Sequence, residues 1–421
     1  MNPHKLPTPK PLFLERMKKI LKNDYENYLE ALKEQPLRSI RCNTLKISPE
    51  ALKKKLEAKN WKIKQPWKNY PEVMIVEGKF ADKDLTDNKE NEEVGDKVFN
   101  ILDKSADAHI VRIEQSEEQI GVGGRLRGRE KNKSFLVIKN PSISNALARD
   151  NFWDDGRDKV GWSRVGRGTA MVQNKTLIPL EPGELGRALE HLLGYYYVQE
   201  LSSMLPVIAL NPQPNERILD LCSAPGSKTT QISAEIKNTG TIIANEISLG
   251  RIKILASNLE RCGVTNTLIT KKDGITLCKK LKKMNFYFDK ILVDAPCSGE
   301  GTLRSSPKTC IMWNIKTIET LSKTQKRLFE SAFEILKPNG ELVYSTCTHA
   351  PEENEAVVDF ILKTFKDKIK IEEIKLPIKF RQGITQLENE KFNPEVKKCA
   401  RIYPQDNNTE GFFLAKMRKV K

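Results

Sequence analysis

Two cysteines of this 421-residue chain each stand just past an apolar run. Cys297 lies in Asp294-Ala295-Pro296-Cys297-Ser298-Gly299 and Cys347 in Tyr344-Ser345-Thr346-Cys347-Thr348. A thiol in a polar, turn-forming loop is suited to covalent, nucleophilic chemistry, whereas a free cysteine elsewhere is ordinarily a small buried hydrophobe. Cys42, Cys262, Cys278, Cys310 and Cys399 are read as the buried kind. A third segment, Asp220 to Thr229, reads as a strand, a tight loop and a helix start, the layout of a nucleotide-cofactor loop. Its sequence Cys222-Ser223-Ala224-Pro225-Gly226-Ser227-Lys228 is not the Gly-x-Gly-x-x-Gly fingerprint, which disfavours a phosphate cradle. Gly226 instead allows close backbone approach, and the helix start offers free amides to a carboxylate.

The elements that must position these residues follow from the apolar pattern. From Arg217 onward strands and helices alternate, with strands at Arg217–Leu221, Thr241–Ala244, Thr267–Ile269, Lys290–Val293 and Glu341–Tyr344. Such alternation predicts an α/β fold with a mostly parallel, doubly wound sheet, in which ligands collect at the carboxyl ends of the strands. Asp220, Glu246, Asp273, Asp294 and Cys347 all fall at or just after such ends. An acidic residue there is often only a turn former or helix cap; the recurrence on successive strands is what points to a site. Arg401–Tyr403 and Gly411–Ala415 are expected as late antiparallel edge strands.

The N-terminal part opens with helix over residues 12–33, then a strand at Ser39–Leu45. Ser48-Pro49 reads as cap and first position of a helix to Lys59. Strands at Trp61–Lys64 and Val73–Val76 complete a βαββ pattern, suited to a small RRM-like α+β unit over residues 1–80, completed by 181–205. Composition changes near residue 81 and back near 180. Residues 81–180 are therefore expected to be an inserted β-rich module, with short β-like runs at His109–Ile113, Phe135–Ile138 and Thr169–Val172. Its Gly/Arg run, Gly121 to Arg129, suits either phosphate contact or a solvated hairpin tip. Tyr195, Tyr196 and Tyr197 are expected in the core rather than as base-stacking platforms. Residues 206–421 form the expected catalytic domain.

Lys+Arg 71 against Asp+Glu 55 gives a net charge of +16, the footprint of a polyanion binder or of a lysine-rich, solubilising surface. The eight cysteines include no Cys-x-x-Cys pair and no cysteine/histidine cluster at zinc spacing, so no metal is expected. Without a secretory signal or an apolar run near membrane length, unpaired cysteines fit a reducing cytoplasm. A monomer is expected, with no membrane partner.

Jointly, the cysteine loops and the cofactor loop resemble the Nop/Sun (RsmB/NOP-type) family of S-adenosylmethionine-dependent RNA (cytosine-5) methyltransferases. The resemblance extends to Arg41-Cys42-Asn43-Thr44-Leu45-Lys46, Gly299-Glu300-Gly301-Thr302, Pro351-Glu352-Glu353-Asn354-Glu355 and Thr409-Glu410-Gly411-Phe412-Phe413, and the 81–180 insertion departs from it. It implies a Rossmann-like class I methyltransferase fold and S-adenosylmethionine as cofactor, held by Cys222, Ser223, Ala224, Pro225, Gly226, Ser227 and Lys228. It further implies ribose contacts from Glu246, an additional contact from Arg251 and an adenine contact from Asp273, with Asp294 bordering the same site. Of the two loop cysteines, the resemblance assigns Cys347 to attack and Cys297 to release of product.

The chemistry implied is demanding because carbon 5 of cytosine is a poor nucleophile. A thiolate adding to carbon 6 creates an enamine whose carbon 5 attacks the methyl group. Asp294 is expected to face ring nitrogen 3, and burial beside the cofactor would help it hold a proton to donate there. His349, next to the nucleophile loop, is read as a solvated loop histidine. RNA is the expected partner, with tRNA favoured over ribosomal RNA through the likeness of Gly183 to Met204 to archaeal members. DNA cytosine-5 methylation, in which the Pro-Cys cysteine attacks, and an RNA-binding assembly factor with little turnover are the rivals.

Overall fold

The computed structural model describes residues 8–82, 175–181 and 183–420. The chain divides into two compact units, Met1–Ala81 with Thr176–Lys421, and Asp82–Lys175. The runs at 109–113, 135–138 and 169–172 and the Gly/Arg run at 121–129 lie outside the described residues. Everything below concerns the first unit.

A small sheet is built from β1 (Ser39–Cys42), β2 (Trp61–Lys64), β3 (Val73–Asp82), β4 (Lys175–Ile178) and β5 (Tyr196–Val198). Its order β2-β3-β1-β5, with β4 on β3, is that of a βαββαβ unit. The first crossover is the helix Pro49–Glu57, started as its sequence predicts: Ser48 Oγ accepts from the Ala51 amide at 3.2 Å, with Pro49 at the first position. Losing such a cap costs about 1 kcal/mol. Two short helices, Glu184–Arg187 and Leu189–Leu192, take the place of the second. Leu52 and Leu56 from the first crossover and Leu185 from the second pack with Ile40, Met74 and Tyr196 in one core. β1 is shorter than expected, because the chain turns over Thr44, Leu45 and Lys46.

The large sheet runs β12-β15-β16-β10-β9-β6-β7-β8, with β11 also pairing β16. Its strands are β6 (Arg217–Asp220), β7 (Thr241–Asn245), β8 (Thr267–Thr270), β9 (Phe288–Asp294), β10 (Leu336–Thr346), β11 (Ile369–Glu372), β12 (Arg381–Gln382), β15 (Ala400–Ile402) and β16 (Phe412–Lys419). β13 (Gln386–Leu387) and β14 (Glu390–Lys391) form a separate hairpin. β6 to β10 are parallel. Adjacent residues on one strand face opposite cores: Leu219, Ile243, Ile291 and Leu342 on one side, Ile218, Ile242, Leu292 and Val343 on the other. Helices cover both faces, which is why the strands read as near-continuous apolar runs. The strand order reverses between β6 and β9, so Asp220 and Asp294 flank the switch point.

One expectation is corrected. Neither late strand is an edge: β15 lies between β12 and β16, and β16 lies between β10 and the β15 and β11 strands, with Phe412, Phe413, Leu414 and Ala415 buried. Four consecutive buried residues suit an interior strand, since an edge strand leaves one side to solvent. Among the described residues no helix is long and apolar enough to cross a membrane.

Candidate active site

Asp220 ends β6 fully buried, with Oδ2 accepting from Thr229 Oγ1 at 2.7 Å and Oδ1 without a partner; burial pushes its carboxyl up to about 7. The loop then turns through Gly226 at φ +104, where an added Cβ would lie 2.9 Å from Leu255 Cδ1. No side chain caps the helix Ser227–Glu235, leaving its first amides open. Ser223 is held by two 2.9 Å bonds to the Asn245 carbonyl, from its amide and its hydroxyl. Burial pushes the neighbouring Cys222 thiol up. After β7, Glu246 is buried, accepting from the Ser248 amide at 2.9 Å and pairing with Arg251 at 3.0 Å. Arg251 also donates to the Ala224 carbonyl, closing the loop against the second strand. Asp273 caps the helix Gly274–Lys283 through the Thr276 amide and hydroxyl, both at 2.9 Å. An uncapped helix start, a buried orphan oxygen and a rigidly aimed buried carboxylate fit a ligand carrying both a carboxylate and hydroxyl donors.

Lys228 belongs to this loop by sequence but sends its ammonium across the switch point. It pairs with Asp294 at 2.7 Å, donates to Ser203 Oγ at 3.0 Å and lies 5.5 Å from the centre of the Phe412 ring. The other Asp294 oxygen accepts from Ser345 Oγ at 2.7 Å. Each Asp294 oxygen thus has one near partner, and Lys228 places a second hydrogen-bond donor on the wall where Asp294 is expected to face the base. Ser203, Lys228 and Asp294 line a cavity of about 400 Å³ together with Cys347, Phe412 and Glu410.

The two cysteines meet, Sγ to Sγ 3.1 Å, and the Cys347 amide points at Cys297 Sγ at 3.3 Å. Both are free thiols. Cys347 lines the cavity and Cys297 does not. Contact with Cys347, and then burial, push the Cys297 thiol well above its usual value. The two loops are tied by a buried chain: Ser298 Oγ meets Thr348 Oγ1 at 2.7 Å, Thr348 donates to Glu300 at 3.1 Å, and Trp313 Nε1 donates to Glu300 at 2.7 Å. Glu353 accepts from the Ser298 amide at 3.0 Å and from Gln325 at 2.7 Å. Burial pushes Glu353 up to about 7.

His349 corrects the reading of it as a solvated residue. It is buried, stacked on Tyr403 at 4.9 Å and edge-on to Tyr28 at 5.6 Å, and burial, then Arg401, push it down to about 3. It is a neutral packing element. The five cysteines expected as buried hydrophobes are buried. Tyr196 and Tyr197 are also in the core.

The Arg41 to Lys46 segment spends its polar groups on docking the small sheet. Arg41 donates to the Ser227 carbonyl and Thr230 Oγ1, each at 2.8 Å, bracing the start of the cofactor-loop helix. Asn43 donates to the Gly194 and Cys262 carbonyls at 2.8 and 2.7 Å, and Lys46 to the Arg261 carbonyl at 2.7 Å. Glu410, given no role from sequence, lies on the cavity wall nearly unexposed, and both of its oxygens lack hydrogen-bond partners, with Ser305 near but outside bonding geometry. Burial, then Glu200, push it up to about 7. The one sequence signal for it was an acid abutting Gly411-Phe412-Phe413. Among the described residues no cluster of three or more candidate ligands suits a metal.

Comparison with known proteins agrees with this layout. Residues 207–418 match the family described as 16S rRNA methyltransferase RsmB/F, and residues 9–71 match the N-terminal domain of 16S rRNA methyltransferase RsmF. A tRNA (cytosine(49)-C(5))-methyltransferase of Pyrococcus abyssi is 46% identical over 234 residues, covering 56% of this chain and 73% of that protein. The ribosomal RNA small subunit methyltransferase F of Escherichia coli K12 is 44% identical over 238 residues, 56% of this chain; the matched part is 47% of that relative, about half its length. Among solved structures, the NSun6 protein of Pyrococcus horikoshii with SFG is 26% identical with a TM-score of 0.63, covering 98% of both chains. A methyltransferase homologue from the same organism gives 26% and 0.64, covering 98% of this chain and 95% of that one. With a family match spanning half the chain and a Rossmann-like sheet carrying its loops at the switch point, the chain belongs to the RsmB/F family of RNA methyltransferases.

Proposed function

We propose that this protein transfers a methyl group from S-adenosylmethionine to carbon 5 of a cytosine in RNA, through a covalent adduct between Cys347 and carbon 6. The observation that carries the reading is the division of labour in the thiol pair: Cys347 lines the cavity with Lys228 and Asp294, and Cys297 stands behind it at 3.1 Å. When bound, the cofactor supplies an electrophilic methyl group. Glu246 would accept from its ribose hydroxyls, Asp273 would border its adenine, and the open amides after Gly226 would receive its carboxylate.

With the base in the cavity, the Cys347 thiol gives up its proton to solvent, its sulfur adds to carbon 6, and the displaced electron pair moves onto the ring. The Lys228 ammonium, oriented by Asp294, offers a hydrogen bond to the ring edge that gains this charge. After methylation carbon 5 loses its proton to a water molecule, the electron pair returns to the carbon 5–carbon 6 bond, and the bond to sulfur breaks. Cys297, kept protonated by Cys347 and burial, is the proton donor beside the departing thiolate. Duplex stacking would deny this cavity its base, so the target is unpaired or flipped out. The +16 charge supplies sequence-independent grip on phosphates.

A tRNA substrate is favoured by the Pyrococcus abyssi relative, of which this chain covers the larger share; ribosomal RNA is the alternative. The test is transfer from labelled S-adenosylmethionine to separate pools of unmodified tRNA, ribosomal RNA and duplex DNA, with the product nucleoside identified. A 5-methylcytosine product in one RNA pool is expected. Transfer to duplex DNA alone, or to no pool despite cofactor binding, would overturn the reading.

A further inference from the structure

A second cavity, of about 600 Å³, adjoins the first, and Leu37 lines both. The two also share their supporting elements. Leu201 and Thr409 line the second, while their chain neighbours Ser202 and Glu410 line the first. Pro66, Trp67 and Ile378 give the second cavity apolar walls, and Lys64 and Lys379 stand on its border. Both lysines are exposed, and neither ammonium has an ion-pair or hydrogen-bond partner among the described residues. An apolar slot bordered by two unengaged cations suits an amphiphile with a flat uncharged body and an anionic link.

We propose that this groove holds the nucleotide next to the target cytosine in the same RNA strand, its base against the Pro66, Trp67 and Ile378 walls and its phosphate on Lys64 and Lys379. The inference rests on the RNA reading above. Continuity through Leu37 selects the adjacent nucleotide: a strand delivering one base to the first cavity must run past this residue. The lysines suit the phosphate that every such strand carries, and the walls grip a base through its face, which tolerates any sequence. The target is thereby held by a neighbour as well as by its own ring, which helps keep a flipped base from restacking.

The test is binding of a five-nucleotide single-stranded RNA with a central cytosine, intact or abasic one position to either side. It is read by fluorescence anisotropy against salt, with methyl transfer measured in parallel. Removing the base on one side is expected to weaken wild-type binding about tenfold. The same removal costs Ile378→Asp nothing further. Charge reversal at Lys64→Glu and Lys379→Glu is expected to flatten the salt dependence by about 0.7 per lysine. Because both lysines are exposed, these variants test the groove even if Ile378→Asp does not fold. Equal binding of all three RNAs, an abasic penalty that persists in Ile378→Asp, or an unchanged salt slope in the lysine variants would each overturn the proposal. So would a concentration-dependent dimer that Ile378→Asp disperses, which would assign the groove to a second copy of the chain. Loss of methyl transfer with the binding pattern intact would count against the catalytic reading alone.

Discussion

The sulfurs of Cys297 and Cys347 sit 3.1 Å apart on loops that follow neighbouring parallel strands, yet only Cys347 borders the cavity. That asymmetry separates their roles. Cys347→Ala is expected to lower methyl transfer on the order of 10⁴-fold or more, as for loss of a nucleophile. Cys297→Ala is expected to trap a protein–RNA adduct visible on a denaturing gel, because the departing sulfur has lost its proton donor. Adduct from the first variant, or none from the second, would reverse the assignment.

Lys228 and Asp294 form the ion pair on the cavity wall, with Ser203 and Ser345 taking their remaining near bonds. Lys228→Met keeps the stem and removes the charge. Transfer at saturating cofactor should fall about 100-fold, the usual scale for removing one preorganised donor. The pair acts as a unit, so the double variant Lys228→Met/Asp294→Asn should lose little beyond the worse single one. Fully additive losses in single-turnover rates would show that the two groups act independently.

Glu246 is buried, with one oxygen on the Ser248 amide and the other on Arg251, so its carboxylate cannot swing away from the end of β7. Charged hydrogen bonds of this kind contribute roughly 1.5–3 kcal/mol. Glu246→Ala should therefore weaken S-adenosylmethionine binding on the order of tenfold or more by calorimetry, with affinity for RNA unchanged. A parallel loss of RNA affinity would place Glu246 in the support of the whole fold rather than at the cofactor.

Much of this layout is legible along the chain because parallel strands buried on both faces are short apolar runs, and their carboxyl ends carry Asp220, Glu246, Asp294 and Cys347. What sequence does not display is how distant segments pair. The direction of the Lys228 ammonium depends on β6 and β9 meeting at the switch point, a contact between separate strand ends. The burial of Glu410 and His349 depends on β16 entering the sheet beside β10, with Phe413 opposite Thr346. A polar residue next to a loop looks solvated until the strand that covers it is known. The helix start at Ser48-Pro49 was readable because a cap is a local interaction.

His349 gives the sharpest dependence on acidity, through stability rather than catalysis. Its folded value of about 3 lies below the unfolded value near 6.5, so the unfolded chain binds the extra proton first. The stabilisation is complete above about pH 6.5 and is lost as pH falls toward 3, at about 1.4 kcal/mol per pH unit. Between pH 7 and pH 5 the loss from this residue is about 2 kcal/mol. Asp220, Glu353 and Glu410, each pushed up to about 7, act oppositely, since they favour the folded state as they gain protons below that value. The overall profile therefore mixes both signs, and the difference between wild type and His349→Gln isolates the histidine. Urea unfolding across this range should show wild type losing about 2 kcal/mol relative to the variant, whatever the variant's own stability at pH 7. Parallel curves would mean that His349 takes up its proton without leaving the Tyr403 stack, and that the ring is less tightly enclosed than its neighbours Tyr28, Tyr403 and Gly411 indicate.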